Sequence, residues 1–167
     1  LQGWTQATRV LAIDARGRAR DTGLQPLGPH DSADEVQTEE ILVDTDDGQR
    51  VPMSIIHRRG LPRDGERPTL LQGYAAYGET EEPYYSVFRL AWLQAGGVHA
   101  IANPRGSGVY GEPWYRAGFQ STKPNSWKDF IACARHLMSR GHTRPGRLAV
   151  QVGSAGGARS RDSARAA

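Results

Sequence analysis

A chain of 167 residues has room for one ordinary domain and little more. Its 38% hydrophobic and 23% charged residues argue against a disordered segment, and no run approaches the ~18 consecutive apolar residues of a membrane span. The formal net charge is +3, but the arginines are scattered and Arg159, Arg161 and Arg165 crowd the last ten positions. No helix or strand carries the basic stripe with interleaved aromatics of a nucleic-acid binder, so no nucleic-acid partner is expected.

Cys133 is the single cysteine, which excludes an intrachain disulfide and any CxxC metal or redox site. Its apolar neighbours mark it as a buried helical residue and not a nucleophile. The start Leu1-Gln2-Gly3-Trp4 has no initiator Met and no leader pattern, so the expectation is an internal piece of a longer cytoplasmic gene product.

In chain order, Val10, Leu11 and Ile13 predict one strand, followed by a Gly/Pro/Asp-rich linker through Pro26, Gly28, Pro29 and Asp31. Residues 1–35 cannot bury a core alone, and are expected to belong with something upstream. Ile41–Asp44 and Val51–Arg58 flank Thr45-Asp46-Asp47-Gly48-Gln49, a hairpin around an Asp-Gly turn. Pro52 predicts an edge position for the second of these strands, since proline lacks the ladder donor. Thr69–Gln72 reads as a short strand. Val87–Ala95 reads as a helix with Val87, Leu90, Ala91 and Leu93 inward, stopped at Gly96-Gly97, and Val98–Ala102 as a strand. The clearest helix has Asn125 as N-cap, Trp127, Phe130, Ile131, Ala134, Leu137 and Met138 at helical spacing, and Gly141 as its stop. Leu148–Val152 reads as a buried strand. Hairpin, strand, helix, strand, helix, strand predicts an α/β sheet covered by helices.

The junction Leu148-Ala149-Val150-Gln151-Val152-Gly153-Ser154-Ala155-Gly156-Gly157 carries the chemistry. An apolar strand runs into a turn of small residues with Ser154 at its apex, the pattern of a nucleophile elbow. Such a turn lifts the hydroxyl above the carboxyl edge of the sheet and aims the next N–H, that of Ala155, at a developing oxyanion. A plain Gly-rich loop has the same composition, so the motif alone leaves both readings open. Phosphate binding by these glycines fits poorly, because Gly153–Gly157 forms neither GxGxxG nor GxxxxGK[ST] and no Lys follows.

Three further stretches decide the matter: Val51-Pro52-Met53-Ser54-Ile55-Ile56-His57, Leu71-Gln72-Gly73-Tyr74-Ala75-Ala76-Tyr77-Gly78, and Ala102-Asn103-Pro104-Arg105-Gly106-Ser107-Gly108-Val109-Tyr110-Gly111-Glu112-Pro113-Trp114. With Gly153-Ser154-Ala155-Gly156-Gly157 they resemble, in order and spacing, the hydrolase domain of the prolyl oligopeptidase family of serine peptidases. The resemblance covers roughly residues 36–157 and implies a partial α/β-hydrolase sheet with flanking helices, preceded over residues 1–35 by the end of a β-propeller and its linker. It implies Ser154 as nucleophile, the Tyr74 hydroxyl and the Ala155 N–H as oxyanion hole, and Tyr77 as an aromatic near the proline-binding pocket. Without the resemblance, Tyr74 reads as a turn aromatic packed on the sheet, and Arg105 as a structural hydrogen-bonding arginine. The implied activity is cleavage of short peptides, typically after proline, by an enzyme that is monomeric when intact and needs neither metal nor cofactor.

The pattern breaks after the serine. An α/β-hydrolase triad runs Ser, then Asp or Glu, then His, yet His30, His57, His99, His136 and His142 all precede Ser154, and Asp162 lies only eight residues on. Pairing Ser154 with His57 and Asp64 is rejected, because His57 ends a hairpin strand and reads as a partly exposed strand end. Val152 stands where the family has glycine. Residues 158–167 offer only alanines as apolar positions, and are expected to be an aberrant or disordered tail. The chain alone is therefore expected to be nearly inert, and its unpaired last strand to make it aggregation-prone. Two rival readings are a non-catalytic interaction module and an oligopeptidase preferring basic or acylaminoacyl substrates.

Overall fold

Two short strands, β1 (Leu11–Ile13) and β2 (Ala19–Asp21), open the computed structural model, which describes residues 1–31 and 33–153. They pair antiparallel; only the first was legible in the sequence, because Ala19-Arg20-Asp21 is exposed throughout and carries no apolar alternation. Asp14 closes the turn, its Oδ1 accepting from the N–H groups of Arg16 and Arg18.

The main sheet is built outward from the hairpin of β3 (Val36–Asp44) and β4 (Arg50–Arg58). Gly48 sits in its turn at φ 76° and donates to the Thr45 carbonyl, a left-handed conformation that glycine reaches without a Cβ penalty. Next come β5 (Thr69–Gly73), α1 (Val87–Gln94), β6 (Val98–Ala102), the short α2 (Glu112–Arg116), α3 (Pro124–Ser139) and β7 (Leu148–Val152). The strand order is β3-β4-β6-β5-β7, antiparallel on the hairpin side and parallel from β6 through β5 to β7.

Strand alternation divides the buried residues between two faces. Val51, Met53 and Ile55 of β4 join Leu71, Val98, Ala100 and Ala102 in a core with Phe130, Cys133, Ala134 and Leu137 of α3. Ile56 and Ile101, on the other face, pack with Leu90 and Leu93 of α1. Trp4 and Ala33 complete that second core, so the segment before β3 contributes to it.

Several expectations are corrected. β4 is an interior strand, not an edge. Pro52 is tolerated because it lies beyond the last β4–β6 register pair, Met53 with Ala102, where its carbonyl accepts the Asn103 N–H at 2.9 Å. β7 is not buried: its middle residues are exposed, and among the described residues it pairs only with β5. On α1, Val87 and Ala91 face outward while Arg89 is buried, because its guanidinium lies over the rings of Trp4 and Tyr84 at 4.9 and 4.5 Å. α3 begins at Pro124, so Asn125 lies inside it and donates to the Ala117 carbonyl instead of capping. Gly141, at φ 73°, ends the helix as expected. The elbow beyond Gly153 and the tail lie outside the described residues.

Candidate active site

β5 and β7 run parallel with Gly73 opposite Val152, so the residues that follow them leave the sheet side by side at its carboxyl end. Those residues are Tyr74 and Gly153. A Cβ built on Gly153 would lie 4.0 Å from Cδ2 of Tyr74, so the chain leading into Ser154 passes along the tyrosine ring. Ser154 and Ala155 themselves fall outside the described residues. Tyr77 is close by, its ring 6.4 Å from that of Tyr74, and is 67% exposed.

Close backbone packing brings Tyr74 to this place. At Gly73 a Cβ would stand 2.6 Å from Cε2 of Phe130 and 3.0 Å from the Ala102 carbonyl, so only glycine lets β5 end against α3. Ala75 and Tyr77 then take φ 55° each, left-handed values costly for residues with side chains. Several contacts hold the bend. Gly78 N–H donates to Gly106 O at 3.2 Å, and Glu79 N–H to Ala76 O at 3.0 Å. Asn103 grips the backbone of Glu81 twice, accepting its N–H at 2.8 Å and donating to its carbonyl at 3.1 Å. Lys123 donates its ammonium to the Ala75 carbonyl.

The loop after β6 that receives this bend is fixed by charge. Arg105 is buried; its Nε and Nη2 meet both oxygens of Asp129, and its Nη1 and Nη2 both oxygens of Asp47, at 2.6–3.2 Å. These contacts push the Arg105 pKa up and hold the Asp47 carboxyl at about 2. The Arg105 N–H also reaches Asp129, and Ser126 Oγ donates to the Arg105 carbonyl. Arg105 is thus the structural arginine expected. Its partners Asp47 and Asp129, 58 residues before and 24 after, carry no sequence signal, and neither does Lys123.

His57 lies at the opposite end of the sheet. It follows Ile56, which pairs with His99 near the start of β6, while β5 begins opposite Val98. At ~3.3 Å per residue, five-residue β5 separates it from the Tyr74 end by roughly 15 Å. It is buried, correcting the expected partly exposed strand end: Nε2 lies 2.8 Å from Oε1 of Glu39, and its ring meets that of His142 at 5.9 Å. Asp64 pairs with Arg67 instead, so the rejected His57–Asp64 couple does not form. Among the described residues no group of three or more His, Cys, Asp or Glu could hold a metal, and no helix is long and apolar enough to cross a membrane.

The strand order, with helices on both faces and the candidate residues at the carboxyl ends of adjacent parallel strands, defines an α/β-hydrolase fold. A family model for the prolyl oligopeptidase family matches residues 83–161. Prolyl endopeptidase from Elizabethkingia meningoseptica is 36% identical over 120 residues, 72% of this chain and 17% of that protein. Among solved structures, oligopeptidase B from Trypanosoma brucei with covalently bound antipain superposes with a TM-score of 0.82 at 33% identity, covering 93% of this chain and 22% of that one. A post-proline cleaving enzyme from Rickettsia typhi gives a TM-score of 0.84 at 25% identity, with coverage of 93% and 22%. The chain belongs to the prolyl oligopeptidase family, and spans about a fifth of the length of these relatives.

Proposed function

We propose that this chain carries the nucleophile-bearing part of a serine oligopeptidase that cleaves short peptides, with a preference for bonds after proline. Residues 36–157 are then the amino-terminal part of the hydrolase domain. Ser154 Oγ attacks the scissile carbonyl, its proton passes to a base, and the carbonyl oxygen becomes the oxyanion of a tetrahedral intermediate. The Tyr74 hydroxyl and the Ala155 N–H donate to that oxygen, a neutral phenol being a suitable donor at pH 7. Collapse expels the amine, which takes the proton, and leaves an acyl-serine for water to hydrolyse. Tyr77 offers an exposed ring to the substrate beside this centre. The reading is carried by the register match of Gly73 with Val152, which sets the chain entering Ser154 against the Tyr74 ring.

No histidine follows Ser154 in this sequence, so within residues 1–167 the serine has no base in the order its fold requires. Incubation with a fluorophosphonate probe, beside Ser154→Ala, tests this. The 167-residue chain is expected to label no more than the variant, and the full-length gene product to label at Ser154 and to cleave Pro-containing peptides. Failure of the full-length product to label at Ser154, with intact folding, would overturn the peptidase reading. Cleavage of Arg- but not Pro-terminated peptides would move the specificity to basic residues.

A further inference from the structure

We propose that Lys123 is a positioning residue for the oxyanion donor Tyr74, acting through the Ala75 carbonyl; the inference rests on the peptidase reading above. Lys123 immediately precedes α3, and its half-buried ammonium donates to the Ala75 carbonyl, on the residue directly after Tyr74. A lysine drawn away from water to meet one backbone oxygen gives up hydration, and burial lowers its pKa accordingly. Nothing in helix α3 itself requires that arrangement. It becomes intelligible at the other end of the contact.

Ala75 is left-handed at φ 55°, as is Tyr77 two residues on, and both Ala75 and Ala76 are buried. Such a conformation persists only where surrounding contacts over-determine it. The Ala75 carbonyl oxygen is directed into a niche beside Gly106, where any Cβ would collide with it. Ala75 is buried, so its carbonyl oxygen calls for a donor, and Lys123 supplies one. Removing the donor leaves a desolvated carbonyl, which the loop escapes most easily by rotating Ala75 toward an ordinary backbone region. That rotation swings the preceding Tyr74 ring. A misplacement of about 1 Å at a catalytic group is enough to cost on the order of 100-fold in rate.

The test compares Lys123→Met, which keeps the apolar stem without the donor, with Lys123→Arg, which keeps a cationic donor, in the full-length gene product. Positioning predicts that Lys123→Met lowers kcat about 10- to 100-fold with KM little changed. It also predicts faster hydrogen exchange at the Gly78 and Glu79 amides, and recovery of most of both losses by Lys123→Arg. A Lys123→Met protein with parental kcat and parental exchange at these amides overturns the inference. So does equal impairment of the two variants, which would make the side chain merely structural. An inactive parent would instead sink the peptidase reading, and with it the catalytic purpose of the contact; an active parent beside an unaffected Lys123→Met sinks this inference alone.

Discussion

Arg105 and Asp129 form an ion pair sealed from solvent: Nη2 lies 2.6 Å from Oδ1, and the Asp129 side chain has no exposed surface. The same guanidinium reaches Asp47, whose side chain is 49% exposed at the hairpin turn. Two carboxylates on one cation should differ sharply in worth. Removing the buried partner leaves the Arg105 Nε and backbone N–H without their interior acceptor and the cation with Asp47 alone, whereas the outer carboxylate exchanges its contact for water. Asp129→Ala is expected to cost about 3–5 kcal/mol and Asp47→Ala about 1 kcal/mol or less. Equilibrium urea denaturation of the two variants decides this, and equal losses would show that the turn carries as much as the interior.

The pairing also explains what the sequence could and could not reveal. Local features were legible: the Gly48 turn, the Gly141 stop, and the stripe of Phe130, Ala134 and Leu137 each depend on residues a few positions apart. Misreadings came from tertiary partners. Pro52 signals an edge until the end of β6 is known to stop one residue short of it. Val87 and Ala91 read as inward on α1 until Trp4 and Tyr84, distant or non-helical, are seen to enclose Arg89 instead. The family motifs marked Tyr74, whereas Lys123, which grips the residue after it, has no local pattern to betray it.

Glycine at position 106 is expected to be far less replaceable than glycine at position 96. Both have positive φ, 100° and 88°, so both substitutions strain the backbone. Gly96, however, has nothing within 4 Å of its missing Cβ, while at Gly106 that atom would strike the Ala75 carbonyl. Gly96→Ala should cost about 1 kcal/mol, and Gly106→Ala about 3 kcal/mol or more. Thermal melts of the two variants measure the contrast; comparable melting temperatures would mean the Ala75 loop yields freely.

Two buried histidines should make the fold weaken in mild acid. Burial, reinforced by Arg89, lowers the pKa of His99 to about 4, and burial with nearby Arg63 does the same for His142. Unfolded, each takes up a proton near pH 6.5; folded, each resists until about pH 4. The unfolded state therefore binds more protons in this window, and stability falls as pH drops from about 6.5 to 4, by on the order of 3 kcal/mol per histidine. Asp47, depressed to about 2 by Arg105, adds a loss only below about pH 4. Chemical denaturation at stepped pH should show the decline, and His142→Asn should make it shallower. An unchanged slope in that variant would place the titration elsewhere.

Cys133 offers a direct probe of whether the α3 core is solidly packed or molten, the outcome that the exposed strand β7 makes worth testing. The thiol is fully buried among Phe130, Ala134 and Leu137, and burial, with the Asp129 charge, pushes its pKa up. Thiolate chemistry therefore requires both exposure and ionisation, neither of which the folded core allows. In a tightly packed chain, modification by a disulfide reagent at pH 8 should run on the order of 1,000-fold slower than in denaturant, because it waits on opening of α3 from the sheet. Reaction at nearly the denatured rate, with helix content retained, would mean that α3 forms without stable packing. Such an outcome would also weaken the claim that Gly73, closed against Phe130, fixes where Tyr74 leaves the sheet.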